Sequence, residues 1–276
     1  MTTSGNLAII GGGKIGEALL SGLLRGSAPL FTADQIVVVE HYPERAGYLQ
    51  DKYGIKVVEI AEAARNSATL LIAVKPQDID TVLEELSEHV RAEHLVVSVA
   101  AGITISRIER GLPAGPAVVR CMPNTPALVD EAMTAISAGS HADDDHLQHA
   151  QTLLEAVGKV VRVPESQLDA VTALSGSGPA YFFFLVEAMI DAGILLGLPR
   201  ALAADLIVQT AVGSAVMLRD SGEHPVQLRE AVTSPGGTTI SAIRELENHA
   251  VRAALIAAIE AARDRSVELG RAAEHG

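Results

Sequence analysis

The first chemical signal in this chain is a glycine-rich turn near its beginning. Gly11, Gly13 and Gly16 form the pattern G-x-G-x-x-G, with Lys14 and Ile15 between the last two glycines. After a strand, the first glycine permits a tight turn, the second lets the backbone approach a pyrophosphate, and the third lets the next helix pack closely on the sheet. The helix N-terminus then offers free N–H groups to the phosphates. We therefore predict that these five residues bind a dinucleotide; a merely flexible turn is the alternative.

The elements around this turn are those that the motif requires. Leu7–Ile10 is an apolar run directly before Gly11, and an amphipathic helical pattern follows. Helical stretches such as 78–88 alternate with further apolar runs. These runs are Ile36–Val39, 69–74, 95–99, Ala117–Met122 and 133–136. Apolar strands that alternate with helices indicate a parallel sheet covered on both faces. We predict an α/β N-terminal Rossmann-type domain with a mostly parallel sheet.

The alternation stops near Val163, and the remaining sequence is rich in Ala and Leu with helical periodicity. Helices are predicted over 180–196, 200–218, 239–246 and 251–269. We therefore predict a dinucleotide-binding domain over 1–163 and an all-α domain over 164–276 for substrate binding and oligomerisation. So much apolar surface on several helices favours burial between chains, in a homo-oligomer with a dimer as its unit.

The most apolar stretch, 180–198, contains Glu187 and Asp191. A membrane helix rarely carries two carboxylates, so we predict a buried helix of a soluble protein and no membrane association. The two carboxylates share a helix face, where a solvated or interface role is favoured over a catalytic pair. The start of the chain, 1–6, lacks the basic and apolar regions of a signal peptide.

Composition narrows the compartment and the partners. The chain has 276 residues, a formal net charge of −13 and one cysteine, Cys121. A strongly acidic surface repels nucleic acid and anionic lipid, so neither is expected as a partner. A single cysteine permits no disulfide within the chain and fits a reducing compartment, and we predict a cytoplasmic protein. Cys121 lies in an apolar run, which favours a buried thiol over a nucleophile.

The residue that ends the second strand bears on the type of cofactor. Glu40 lies 24 residues beyond Gly16, near where an acidic side chain binds the adenine ribose hydroxyls of NAD. A carboxylate there repels the extra phosphate of NADP, but Arg45 is nearby and His41 follows directly. A solvated strand end is the alternative reading of Glu40. NADH and NADPH therefore both stay open.

Four further segments carry a resemblance to a known family. Their sequences are AVKPQ at 73–77, MPNTP at 122–126, LSGSGPAY at 174–181 and VTSPGGTT at 232–239. In this order and spacing they strongly resemble the pyrroline-5-carboxylate reductase family over nearly the whole chain. The resemblance implies NAD(P)H-dependent reduction of 1-pyrroline-5-carboxylate to L-proline, the last step of proline biosynthesis. It also implies dimers formed through the helical domain, often assembled into larger rings, in which the partner's Ser-Pro-Gly-Gly segment completes each site. Glu40 is the main departure, because several family members carry small polar residues there.

The segment 234–239 suits the carboxylate of such a substrate. Gly236 and Gly237 leave backbone N–H groups exposed, and the hydroxyls of Ser234, Thr238 and Thr239 add donors. A helix that starts near Thr239 points its positive end at the anion. We predict that these residues bind substrate, and the resemblance implies a catalytic role for Thr239 at the ring nitrogen. An ordinary turn with Thr239 as helix N-cap is the alternative.

Residues at two other strand ends are also candidates. Lys75 follows an apolar run, where open α/β sheets bind ligands, and it is predicted to be a catalytic residue that attracts the cofactor or the substrate carboxylate. Its neighbours Ala73, Val74 and Pro76 are predicted to bind cofactor with it. Asn124 ends another strand, so its amide is predicted to bond the nicotinamide or the neighbouring backbone. A solvated lysine and a simple turn are the alternatives.

The chain contains one further cluster of potential ligands, and two other functions stay open. Metal binding is not expected at the cluster His141, Asp143, Asp144, Asp145, His146 and His149, because the acids read as a helix N-terminus. A β-hydroxyacid dehydrogenase or a general imine reductase is the second functional interpretation. Hydroxyacid oxidation often needs a lysine base in the first helix of the helical domain, and 180–198 contains none. A non-catalytic nucleotide-sensing module is the third.

Overall fold

The computed structural model describes residues 5–275, with side chains over 5–271. Residues 1–4, part of the segment in which no signal peptide is expected, lie outside this range. The described chain contains an eight-stranded sheet in the order β3-β2-β1-β4-β5-β6-β7-β8. Its strands are β1 Leu7–Ile10, β2 Ile36–Val39, β3 Lys56–Val57, β4 Thr69–Ile72, β5 Leu95–Ser98, β6 Ala117–Met122, β7 Ala132–Ala138 and β8 Gly158–Arg162. Only β6 and β7 pair antiparallel among these strands, so the predicted mostly parallel sheet is confirmed.

The central strands are apolar because helices cover both faces of the sheet. Every residue of β1, β4 and β5 is buried. The covering helices are α1 Lys14–Leu23, α2 Pro43–Tyr53, α3 Ile60–Asn66, α4 Ile79–Ser87, α5 Ile105–Gly111 and α6 Asp144–Leu154. One apolar cluster includes Leu19 and Leu153, and the other includes Val82 and Ile108. The order reverses between β1 and β4, which is the switch point where Rossmann folds bind dinucleotides.

The strand bounds differ from the predictions mainly at sheet edges and strand ends. β4 ends at Ile72 and β5 at Ser98, because the chain turns away there to form loops. The short strand β3 and the edge strand β8 were not predicted. Both are mostly exposed or half-buried, so neither has the continuous apolar run that marks a central strand.

The second half of the chain is helical, as predicted, and contains no strand after β8 within the described residues. Its helices are α7 Leu168–Val171, α8 Gly178–Leu195, α9 Arg200–Asp220, α10 Pro225–Ala231, α11 Thr238–Asn248 and α12 Val251–His275. A π-helical turn, Thr172–Gly176, connects α7 to α8. The bounds agree with the predicted helices to within a few residues, except that α12 continues beyond 269.

Two compact units have bounds that differ from the predicted domains. The first comprises the described residues up to Ser177 together with those from Ala262 onward, and the second is Gly178–Ala261. Leu168 and Ala173 are fully buried in the first unit. The hydroxyl of Ser266 donates to Asp169 at 2.6 Å. Helical periodicity does not reveal such contacts. The sequence therefore predicts where strands give way to helices, but it does not predict where the packed units begin and end.

The prediction that 180–198 is a buried helix is wrong for the chain taken alone. Helix α8 has no buried residue, and Phe183 and Leu195 are 69% and 89% exposed. The stretch Glu165–Leu195 and helix α9 are both long and apolar enough to cross a membrane by length and composition. High apolarity predicts burial, but the side chains find too few partners within one chain to achieve it.

Candidate active site

The glycine turn has the geometry that the motif predicts. Gly11 has a φ of +104°, and a Cβ there would lie 2.7 Å from the carbonyl oxygen of Ala73. A Cβ at Gly16 would overlap the carbonyl oxygen of Gly11. Gly13 is exposed, and a Cβ there would meet no atom within 4 Å. The first and third glycines are therefore required by packing, whereas the second leaves open space at the N-cap of α1.

The carboxylate of Glu40 reaches this turn. Its Oε2 accepts a hydrogen bond from the N–H of Gly12 at 3.1 Å, and its Oε1 accepts one from Tyr42 at 3.0 Å. The side chain is half-buried. It lies at the carboxyl end of β2, beside the dinucleotide turn, and not in open solvent.

The predicted residues after β4 lie at the same edge of the sheet. The N–H of Ala73 donates to the carbonyl of Ile10 at 2.7 Å, which places it beside the glycine turn. Val74 is half-buried, whereas Lys75 and Pro76 are exposed. Lys75 is the N-cap of a short 3₁₀ turn, so its ammonium group projects from a loop at the strand ends.

Asn124 is engaged by the protein itself. Its Nδ2 donates to the carbonyl oxygen of Ser175 at 3.2 Å and to its hydroxyl at 3.4 Å. Its Oδ1 accepts the N–H of Met133 at 3.0 Å. A Cβ at Gly176 would lie 2.5 Å from Cε of Met122. The amide thus bonds neighbouring backbone and fastens the π-helical turn to the end of β6, the second of the two roles predicted for it.

Sequence reasoning missed a cavity of about 550 Å³ in the first compact unit. Its lining includes Gln77 after β4 and Ala101–Ile103 after β5, together with Thr172 and Ser177. The last turns of α12 form the remaining wall with Arg265, Ser266 and Leu269. This volume is typical of a small-molecule site. The Ala-Ala-Gly run after a buried strand is a signal that could have marked part of it, but no local pattern brings the end of α12 there.

The segment Ser234–Thr239 lies in the second compact unit. Gly236 has a φ of +65°, and the N–H of Gly237 donates to the carbonyl of Ser234 at 3.1 Å, which closes a tight turn. Helix α11 begins at Thr238 with Gly237 as its N-cap. Thr239 therefore lies in the first turn of α11 and is not its N-cap. Within the described part of the chain, neither Thr238 nor Thr239 uses its hydroxyl in a hydrogen bond, so both are free for a ligand.

Comparison with known proteins bears on the whole chain. A model described as pyrroline-5-carboxylate reductase dimerisation matches residues 165–269, and one described as NADP oxidoreductase, coenzyme F420-dependent, matches 6–102. A pyrroline-5-carboxylate reductase of Mycobacterium tuberculosis is 48% identical over 95% of this chain and 96% of the relative. The chain belongs to the pyrroline-5-carboxylate reductase family.

Solved structures of the same family have the same fold. The reductase of Coxiella burnetii superposes with a TM-score of 0.90 at 36% identity, over 97% of this chain and 99% of that one. The Plasmodium falciparum enzyme, solved with NADP bound, gives 0.86 at 26% identity over 98% and 100%. Family membership makes this chain an NAD(P)H-dependent oxidoreductase with a Rossmann-type domain, and the predicted resemblance is confirmed.

The dimerisation match covers the exposed apolar helices. It spans 165–269, which includes α8 and α9, and it supports a homo-oligomer. Apolar side chains that lack contacts within one reductase chain are expected to bury themselves against a second copy. The apolar, exposed stretch 180–198 lies within this match.

The other constellations have structural explanations within the described residues. Asp143 is the N-cap of α6 and accepts the N–H of His146 at 3.0 Å. No group of three or more potential metal ligands occurs in the described residues. Asp191 pairs with Arg200 at 3.2 Å on an exposed surface. Burial raises the pKa of the Cys121 thiol, so a nucleophilic thiolate is disfavoured.

Proposed function

We propose that this chain catalyses the NAD(P)H-dependent reduction of 1-pyrroline-5-carboxylate to L-proline, the last step of proline biosynthesis. The observation that carries the proposal is the 48% identity, over nearly the full length, to the Mycobacterium tuberculosis pyrroline-5-carboxylate reductase. The second functional interpretation is a β-hydroxyacid dehydrogenase or general imine reductase, and 180–198 lacks the lysine base that hydroxyacid oxidation often needs. A non-catalytic sensing module would not require both a dinucleotide turn and the substrate segment.

The described residues fit a dinucleotide. The open space at Gly13 leaves room for a pyrophosphate beside the N-terminus of α1. In the proposal, Gly11, Lys14, Ile15 and Gly16 complete this subsite. The remaining cofactor contacts come from Glu40, Ala73, Val74, Lys75 and Pro76. We propose that Asn124 contributes by positioning Ser175 at the edge of the nicotinamide subsite.

The cofactor supplies the hydride when it is bound; the chain's own residues orient the substrate and manage its charge. Ser234, the backbone of Gly236 and Gly237, and Thr238 are proposed to hold the substrate carboxylate. Two features support this assignment: the tight turn, and the first turn of α11. The N–H groups of that first turn have no acceptor within the helix. The positive end of this helix also favours an anion.

Thr239 is the proposed catalytic hydroxyl at the imine nitrogen. Reduction of the C=N bond adds a hydride to carbon and requires a proton at nitrogen, which an already protonated imine carries or water supplies. A hydroxyl fixed at the nitrogen orients the ring and can relay that proton from water. Lys75, an exposed cation at the strand edge, is proposed to attract the anionic reactants. No metal ion is needed for these steps.

The active assembly is proposed to be a homo-oligomer built from dimers, in which the partner copy's Ser-Pro-Gly-Gly segment completes each site. Burial of α8 and α9 between copies accounts for their apolarity without a membrane. The formal charge of −13 disfavours nucleic acid as a partner. We also propose a cytoplasmic location, and a division of labour between 1–163 for the cofactor and 164–276 for substrate and assembly.

A turnover assay with 1-pyrroline-5-carboxylate and each reduced nicotinamide tests the proposal. We expect proline formation with stoichiometric oxidation of the nucleotide. The control substrates are 1-pyrroline, which lacks the carboxylate, and a β-hydroxyacid with oxidised nucleotide. Equal turnover of 1-pyrroline would point to a general imine reductase, and turnover of the hydroxyacid alone would point to a dehydrogenase. Nucleotide binding without turnover of any of them would indicate a sensing module.

A further inference from the structure

Two side chains hold the backbone of Gly12, inside the dinucleotide turn, one at its N–H and the other at its carbonyl oxygen. Its N–H donates to Glu40 Oε2 at 3.1 Å, and its carbonyl oxygen accepts Nε–H of Arg45 at 2.6 Å. Both side chains come from the end of β2 and the first turn of α2. The orientation of the glycine turn is therefore set by the same segment that meets the adenine ribose in this fold.

Arg45 is fixed at its other end by Glu17, a residue in the first turn of α1. Its Nη2 donates to Glu17 Oε2 at 2.5 Å. Three more donors converge on Glu17 Oε1: Lys52 at 2.9 Å, Tyr53 at 2.9 Å and Tyr48 at 3.1 Å. The Glu17 side chain is only 18% exposed. Desolvation by itself raises the pKa of Glu17, but the hydrogen bonds from Lys52, Arg45 and Tyr53 outweigh it and lower the pKa to about 2.

This arrangement affects how the site treats an adenosine 2′-phosphate. A phosphate at the ribose needs a cation, and the guanidinium group is the best bidentate partner that a protein offers. Arg45 is the arginine bound to the dinucleotide turn, but its Nε and Nη2 are already committed and its charge is compensated by Glu17. The Glu40 carboxylate adds direct repulsion. What faces the ribose is thus an acid that accepts hydroxyl donors, beside a cation that is held away.

We propose that Glu17 is a specificity-determining residue that biases this site toward NADH by holding Arg45 on the glycine turn. Glu17 acts through Arg45 and is not a catalytic residue. Glu40 and Glu17 have different roles: the first excludes the phosphate by charge, and the second withholds the cation that would bind it. The inference rests on the proposed function only in taking a nicotinamide dinucleotide as the cofactor. It does not depend on the reaction, because its test needs no substrate.

The test is a set of dissociation constants for NADH and NADPH, measured by titration calorimetry without substrate. The variants are Glu40→Ser, Glu17→Met and the double variant, with the wild-type chain. Glu17→Met removes the acceptors and keeps the length of the side chain. We expect the wild type to bind NADH more tightly, and Glu40→Ser to improve NADPH binding. The double variant should bind NADPH at least about tenfold more tightly than Glu40→Ser alone, the value of one charge-assisted hydrogen bond, with NADH affinity within about threefold.

Further variants separate this role from a structural one. Adding Arg45→Met to the double variant should abolish the NADPH gain, and Glu44→Met, at an exposed acid on the same segment, should not reproduce it. If Glu17→Met does not fold, Glu17→Gln replaces it and should give a smaller gain of the same sign. Two results would overturn the proposal. One is equal NADPH affinity in Glu40→Ser and the double variant, and the other is a wild type that binds NADPH more tightly than NADH. Failure of the proposed reaction instead appears as intact nucleotide binding with no turnover.

Discussion

The side-chain amide of Asn124 donates to the carbonyl oxygen of Ser175 at 3.2 Å, joining the end of β6 to the π-helical turn before α8. The two residues are 51 positions apart in the chain. π-Helical turns are frequent at functional sites, and this one lines the cavity at the strand ends through Thr172. Asn124 therefore fastens the turn that forms one wall of this cavity to the end of β6.

We expect Asn124→Leu to destabilise the fold and to weaken cofactor binding only modestly, because Asn124 acts on the nicotinamide subsite through Ser175. The change removes the donors to Ser175 and the acceptor for the N–H of Met133, and half-buried groups that lose partners cost about 1–3 kcal/mol. Denaturant unfolding and NADH titration measure the two effects. Unchanged stability together with a large loss of nucleotide affinity would instead make Asn124 a direct cofactor ligand.

Gly13→Val is expected to weaken nucleotide binding by at least about tenfold without loss of stability. The new side chain enters the open space beside the N-terminus of α1, where the pyrophosphate is proposed to lie, and its backbone φ of −66° suits any residue. Gly11→Val is the matched control. It should destabilise the fold, because Gly11 has a φ of +104° and contacts Ala73. A folded Gly13→Val variant with wild-type affinity would contradict the site.

Thr239→Val is expected to lower kcat/KM for 1-pyrroline-5-carboxylate by about 10- to 150-fold, the effect of losing one hydrogen bond to a charged group. NAD(P)H affinity should stay almost constant. Thr238→Val is the matched control, because it makes the same replacement one position earlier. We expect it to lower kcat/KM less than Thr239→Val does. A larger effect at Thr238 would place the catalytic hydroxyl one residue earlier, and no effect at either position would leave 234–239 as an ordinary turn.

The chain is expected to sediment with at least the mass of a dimer at assay concentrations. Phe183→Glu should shift the distribution toward monomer and lower activity, because it places a charge on an apolar helix that is 69% exposed at this position in the single chain. Asp145→Asn, on the surface of α6, serves as the control and should leave the mass unchanged. A fully active wild-type monomer is the result that rules out the oligomer.

Glu17 is expected to make stability depend on pH in the acid range. Its pKa is about 2 in the fold against an ordinary value of 4.5, so its ionised form adds stability above about pH 4.5 that is lost as the pH falls toward 2. Wild type should lose about 1 kcal/mol more than Glu17→Gln between about pH 6 and about pH 3.5. Urea unfolding at the two pH values measures this difference, with Glu44→Gln as the control. Parallel losses in the wild type and Glu17→Gln would show that the carboxylate contributes nothing.

The alternation of strands and helices, the glycine turn and the family segments were predictable because their signals are local. A buried strand is a continuous apolar run. Gly11 and Gly16 belong to a motif that becomes specific because it directly follows a strand and precedes an amphipathic helix. The same locality explains the omissions. The strand β3 is two residues long and lies at an edge of the sheet, so it leaves no periodic signal.

The sequence by itself determined the order of the elements, the position of the cofactor turn at the first strand end, and the chemistry available at 234–239. Only the tertiary structure decided which donors and acceptors are already occupied. Glu17 is paired with Arg45, 28 residues further on, and Asn124 with Ser175. The end of α12 returns to the wall of a cavity formed by the first unit. These pairings depend on how helices cross the sheet, and side chains separated by tens of residues leave no periodicity from which that crossing could be inferred.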